Sequence, residues 1–272
     1  MSDPDDGADT SGPVVPPIGL GTMGLDGDAG SDVVTTALEL GYRHLDTAQI
    51  YGNEAVVGAG LHRALDRGLV DRDEVLVATK VWVDNLDPDR FRDSVEASRE
   101  RLGVDTIDLL YLHRPRGSYD PPTTFPLFDA CVDDGLVRHV GVSNFTLDQL
   151  RDARAHLDAP LTAHQTEYHP LFRRPALVRD AREHGYTVVA YSPLAGGRVF
   201  DLDPVVAVAE RHDVSPAVAS IAWLRAKGLA VVPKASSAEH LQSNLHAGDV
   251  VLDEADVARI DAIEAETELY PE

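Results

Sequence analysis

Lysine is nearly absent from this chain. Of its 24 basic residues only Lys80, Lys227 and Lys234 are lysines, and the remainder are arginine. Cysteine occurs once, at Cys131, which excludes an intrachain disulfide. Its neighbours Leu127, Phe128 and Val132 read as one helix face, so the thiol is expected to be buried and inert rather than nucleophilic. No apolar run approaches the roughly 18 residues that mark a membrane helix, and the acidic N-terminus does not resemble a signal peptide. A soluble, cytoplasmic protein is expected. Positive charge is scarce overall: 46 acidic residues outweigh 24 basic ones, for a net charge of −22, which argues against nucleic acid and anionic membranes as partners. The acid is spread along the whole length, as a solvated surface would be, and with arginine in place of lysine the composition is that expected of a halophilic protein. Spacings of the His-Glu-x-x-His or paired-cysteine type are also missing, so no metal site is expected.

What is present is an alternation of short β-branched runs with helical periods. Residues 1–13, rich in Asp, Gly, Ser and Pro, are expected to be disordered, and 14–272 to form a single domain. Eight strands are predicted, at Pro17–Leu20, Arg43–Asp46, Val75–Lys80, Ile107–His113, Arg138–Ser143, Thr162–Gln165, Thr187–Ser192 and Ala230–Lys234. Helix starts are predicted at Ser31, at Asp87-Pro88, at Ser215-Pro216, and at two capping boxes, Thr146 with Gln149 and Ser236 with Glu239. Nearly all-apolar strands alternating with helices describe a buried parallel sheet. A doubly wound sheet fits the alternation too, and Gly19-Leu20-Gly21-Thr22-Met23-Gly24 matches a dinucleotide fingerprint in spacing. No helix starts at its end and no acidic partner follows at the required distance, so the α/β fold is read as a (β/α)8 TIM barrel.

In that fold the active site lies at the C-terminal ends of the strands. Asp46 ends the second strand, with Tyr51 five residues on; Lys80 ends the third and His113 the fourth. A phenol, with an ordinary pKa of about 10, is a poor acid near neutrality, and a neighbouring ammonium makes its proton easier to release. Each residue has a bland alternative: a turn aspartate, a half-buried tyrosine, a core histidine. Their coincidence at one barrel face favours a proton-donating site. A barrel isomerase or lyase using Lys80 as a Schiff-base nucleophile would leave Asp46 and Tyr51 unexplained.

The block Gly41-Tyr42-Arg43-His44-Leu45-Asp46-Thr47-Ala48-Gln49-Ile50-Tyr51-Gly52-Asn53-Glu54 is joined in order by Lys80-Val81-Trp82, Leu109 to His113, Gly141-Val142-Ser143-Asn144-Phe145, Gln165, Tyr191-Ser192-Pro193-Leu194 and Val232-Pro233-Lys234. From about residue 16 to 265 the chain resembles the aldo-keto reductases, and within them short prokaryotic members of the 2,5-diketo-gluconate reductase type. The resemblance implies an NAD(P)H-dependent oxidoreductase that reduces aldehydes or ketones, keto-sugars and dicarbonyls included, to alcohols. Tyr51 would be the general acid, Lys80 paired with Asp46 would lower its pKa, and His113 would orient the carbonyl oxygen. Ser143, Asn144 and Gln165 would hold the nicotinamide amide, with Tyr191 stacked on the ring. Ser192, Leu194 and Gly196 would lie in the loop over the pyrophosphate. Lys234 would face the 2′-phosphate of NADPH, with Ser236 and His240 near it, and Asn244 would also bind the cofactor. The chain departs from the family pattern at Ala235 and His240, where serine and arginine are usual, so NADH is also open as cofactor. Met23, Trp82 and Arg114 are expected to wall the substrate pocket, Arg114 favouring anionic substrates. The tail after Glu268 is short, which suggests an open site. A monomer is expected. The alternative is a barrel of this family that binds the cofactor in a regulatory or scaffolding role with little turnover.

Overall fold

The computed structural model describes residues 15–271; the segment 1–13 expected to be disordered lies outside them. Eight strands pair in sequence order, every pair parallel. They are β1 Leu20–Gly21, β2 His44–Asp46, β3 Leu76–Val81 and β4 Ile107–Leu112, then β5 Val137–Ser143, β6 Leu161–Glu167, β7 Thr187–Tyr191 and β8 Ala230–Val231. Parallel bridges Ile18↔Val231 and Gly21↔Lys234 join the first strand to the last and close the barrel. The first and last ladders are shorter than the predicted runs. Pro16, Pro17 and Pro233 carry no amide hydrogen, so these segments pair only at isolated positions.

Ten helices are present among the described residues: α1 Gly27–Leu40, α2 Glu54–Asp66, α3 Pro88–Leu102, α4 Pro121–Asp133 and α5 Leu147–His156, then α6 Pro175–His184, α7 Asp203–Arg211, α8 Pro216–Ala226, α9 Ala238–His246 and α10 Glu254–Asp261. The predicted starts at Asp87, Ser215 and the Thr146–Gln149 capping box are present. Two others are corrected. α1 begins a turn earlier than Ser31, at Gly27, with Asp26 as its cap; the Ser31 hydroxyl instead donates to Val56 O of α2 (3.0 Å). α9 is capped by Ser237, whose hydroxyl accepts from the His240 amide, and not by a Ser236–Glu239 box.

The apolar residues sort into two cores. The larger lies between the strands and the surrounding helices. The smaller fills the barrel interior with Ala78, Leu109, Tyr111, Ala163, Val189, Ala230 and Val232. Gly141 is required there, because a Cβ on it would stand 2.6 Å from the Tyr111 ring. Cys131 is buried, and burial pushes its thiol up to about 11, in keeping with an inert thiol. Among the described residues no helix is long and apolar enough to cross a membrane.

Candidate active site

At the C-terminal ends of the strands a cavity of about 270 Å³ opens into the barrel. Lys80 sits beneath it, 1% exposed. Its ammonium donates to Asp46 Oδ1 at 2.6 Å and to Thr47 O at 2.7 Å. It also stands 5.3 Å from the centroid of the Tyr51 ring, near enough to pull the Tyr51 pKa downward. Burial works against the ammonium, yet Asp46 and Tyr51 outweigh it, so the Lys80 pKa is raised. Lys80 is thus a fixed cation. An ammonium has no lone pair for attack on a carbonyl, and the Schiff-base reading of this lysine fails on that ground.

The second Asp46 oxygen, Oδ2, accepts from Gln165 Nε2 at 2.7 Å. Tyr111, fully buried, forms the floor under Lys80, 5.8 Å from its ring centroid. Tyr51 reaches the cavity from a short 3-10 turn, Gln49–Tyr51. Its pKa is raised: burial pushes it up and prevails over the downward pull of Lys80, so the expected lowering is not the net result. His113 lies edge-on to Tyr51 at 6.0 Å and to Trp82 at 5.1 Å. Burial, then Lys80 and Arg114, drives its pKa down to about 2, so the imidazole is neutral.

The remainder of the fourteen-residue block is scaffolding. Gln49 accepts from the Trp82 amide (2.9 Å) and donates to Ser98 on α3 (3.1 Å), which sets the Trp82 wall. Asn53 donates to Thr22 O (2.7 Å), and Glu54 accepts from Thr79 (2.5 Å) and Arg101 (2.8 Å). These bonds tie the turn that carries Tyr51 to β1, β3 and α3.

Asn144 and Ser192 adopt left-handed backbone conformations, with φ of 62° and 53°. Such conformations cost energy in non-glycine residues and concentrate at functional sites. The Asn144 amide donates to His113 O and Ser143 Oγ, both at 3.1 Å, while its carbonyl accepts from the Tyr191 hydroxyl at 2.8 Å. Ser143, Asn144, Gln165, Tyr191 and Ser192 thereby share one wall of the cavity. Lys234 is exposed at its mouth, with no ion-pair partner among the described residues. Met23, Trp82 and Arg114 also line it. Leu194, Gly196, Ser236, His240 and Asn244 do not: the first two belong to the loop beyond Ser192, and the others lie at α9, with Ser236 and His240 exposed and Asn244 buried.

Six lining residues were not assigned to the site from the sequence: Gly21, Thr22, Ile50, Pro193 and Val232, all within quoted motifs, and Tyr270, which lies in none. Tyr270 corrects the expectation that the short tail leaves the site open. The tail folds back over the barrel, and the Tyr270 ring meets that of Tyr191 at 5.9 Å.

The aldo/keto reductase family model matches residues 17–265. Methylglyoxal reductase DkgB of Escherichia coli O157:H7 is 35% identical over 259 residues, covering 94% of this chain and 95% of that protein. An NADPH-dependent D-xylose reductase of Candida boidinii is 29% identical, covering 92% and 90% of the two chains. The structure of the aldose reductase from Schistosoma japonicum superposes with a TM-score of 0.90 at 29% identity, over 96% of this chain and 92% of that one. The chain therefore belongs to the aldo/keto reductase family and is a carbonyl-reducing oxidoreductase.

Proposed function

We propose that this protein reduces small aldehydes and ketones, dicarbonyls and keto-sugars among them, with Tyr51 as proton donor and NADPH as reductant. The observation that carries this reading is the buried ammonium of Lys80, paired with Asp46 and set beside the Tyr51 ring. When bound, the reduced nicotinamide supplies the hydride. As charge builds on the carbonyl oxygen, the Tyr51 proton moves to it, and the phenolate left behind faces an ammonium fixed at 2.6 Å from Asp46. Donors held in place before charge develops stabilise the transition state more than the ground state. Burial raises the Tyr51 pKa, and the pull of Lys80 offsets part of that rise, so the ammonium eases release of the proton to the substrate. His113, neutral, orients the oxygen as a hydrogen-bond donor and does not compete as an acid.

The residues present suit a nicotinamide dinucleotide. Ser143, Asn144 and Gln165 offer the polar groups an amide needs, and Tyr191 offers an aromatic face. Lys234, an exposed cation in a chain of net charge −22, suits a phosphate. Together with Ser236 and His240 it favours NADPH, although a neutral histidine is a weaker phosphate ligand than a bidentate arginine. The xylose reductase relative uses the same cofactor.

The test is consumption of NADPH and NADH with a panel of aldehydes, dicarbonyls and keto-sugars, for the native protein and Tyr51→Phe. Loss of about 10²- to 10⁴-fold in kcat, with cofactor binding retained, is expected of a missing general acid. Turnover unaffected by the substitution would overturn the role of Tyr51. Tight NADPH binding without turnover of any carbonyl by the native protein would overturn the reaction.

A further inference from the structure

One buried acid close to the site takes no part in the chemistry described so far. Glu167 ends β6 two residues after Gln165 and so faces the same side of the strand. It is 2% exposed. Its Oε1 pairs with His169 Nε2 at 2.9 Å and accepts from the Leu269 amide at 2.6 Å, while Oε2 accepts from the Tyr270 amide at 3.0 Å. Two successive backbone amides of the tail thus grip both oxygens of one carboxylate. His169 is itself fully buried and held by reciprocal backbone bonds with Phe172, at 3.0 and 2.9 Å. The Thr267 amide donates to Leu171 O at 2.7 Å, just upstream in the tail.

The side chain that this grip delivers is Tyr270. It lines the same cavity as Tyr51, Trp82 and His113, as do the apolar side chains of Ile50 and Met23. Nothing periodic holds this segment: α10 ends at Asp261, and no helix or strand follows it among the described residues. The tail is held by such cross-links, and of these the carboxylate is the one that grips the Leu269–Tyr270 peptide itself.

We propose that Glu167 and His169 are positioning residues for the reduction: they hold the Leu269–Tyr270 peptide so that Tyr270 walls the carbonyl pocket, which selects substrates bearing an apolar or ring-shaped group beyond the carbonyl. This rests on the carbonyl-reductase reading of the cavity. A two- or three-carbon dicarbonyl has no ring to set against Tyr270, so it does not sense the wall. A benzaldehyde-like substrate does. Neither positioning residue exchanges a proton with the substrate, so their effect falls on KM and not on kcat.

The test compares the native protein with Glu167→Gln, Tyr270→Ala and Tyr270→Phe, using benzaldehyde and methylglyoxal as probes. Gln is isosteric with Glu, yet its amino group opposes a backbone amide and opens half of the grip. Glu167→Gln and Tyr270→Ala are expected to raise KM for benzaldehyde about three- to tenfold, the worth of one aromatic contact. In Glu167→Gln the kcat values and the KM for methylglyoxal stay put, and Tyr270→Phe, which keeps the ring, raises the benzaldehyde KM less than Tyr270→Ala does. A benzaldehyde-to-methylglyoxal KM ratio that is unchanged in Glu167→Gln overturns the proposal, as does an equal fall in kcat for both substrates. If the native protein turns over neither probe, the reductase reading fails separately, and amide hydrogen exchange then decides the grip. Slow exchange at Leu269 and Tyr270 that becomes fast in Glu167→Gln supports it; equal exchange in both overturns it.

Discussion

Lys80 and Asp46 are a buried pair, 1% and 3% exposed, and each is there only because of the other. Removing one partner of such a pair leaves an uncompensated charge and costs about 3–5 kcal/mol. Lys80→Met is therefore expected to lower stability by that amount in denaturant unfolding, with turnover lost. Asp46→Asn with Lys80→Met should recover most of the stability and none of the turnover; recovery of turnover would show that the ammonium is dispensable. The Tyr51 pKa, raised by burial against the pull of Lys80, gives a second expectation. The acid form persists beyond the ordinary tyrosine range, so kcat for reduction should not fall on the alkaline side until pH exceeds about 10. A falling limb centred well below that, in protein shown to be folded, would mean that Lys80 wins. The residues of this centre were legible in the sequence because chemistry restricts them to few types. The net direction of the tyrosine shift was not, since burial is a property of the assembled barrel.

Among the elements, α5 has the best-marked start: the Thr146 hydroxyl accepts from the Gln149 amide and the Gln149 side chain accepts from the Thr146 amide. Thr146→Ala should cost about 1 kcal/mol in unfolding, the usual worth of an N-cap. The tail is the opposite case, an element with no local signal. It is ordered by Glu167, whose pKa is lowered. Burial pushes that carboxyl up, but hydrogen bonds from His169 and the Leu269 and Tyr270 amides prevail. A carboxyl depressed on folding contributes stability that is complete above its unfolded value of about 4.3 and is lost as pH falls through the folded one. Protection of the Leu269 and Tyr270 amides should therefore persist at pH 5 and above and disappear only below the ordinary glutamate range. Loss of protection already near pH 6 would assign the grip to another group. Capping residues announce a helix because they act within one turn of chain; Glu167 and Tyr270 are 103 residues apart, and no short-range pattern relates them.

At the scale of the whole molecule the excess of carboxylates dominates. A net charge of −22 on this chain repels itself, and added salt screens that repulsion. The midpoint of thermal unfolding should rise from dilute buffer to molar KCl. A flat or falling midpoint would remove the case for adaptation to high salt. The strand count followed from the alternation of buried runs and helices, since each run had to be covered on both faces. Closure between the first and last strands did not, because Pro16, Pro17 and Pro233 reduce that seam to isolated bridges that no local pattern marks.

What the chain determined by itself is a set of local facts. Residue types limited by chemistry stand at strand ends, periodic runs must be buried, and the caps that open α3, α5 and α8 act within a turn. Tertiary structure alone decided which groups meet. Gln165 bonds Asp46 across 119 positions, and Glu167 holds a tail more than a hundred residues away. The reason is physical. Hydrogen bonds and desolvation depend on distance in space, and folding brings together groups whose separation along the chain carries no energetic signature.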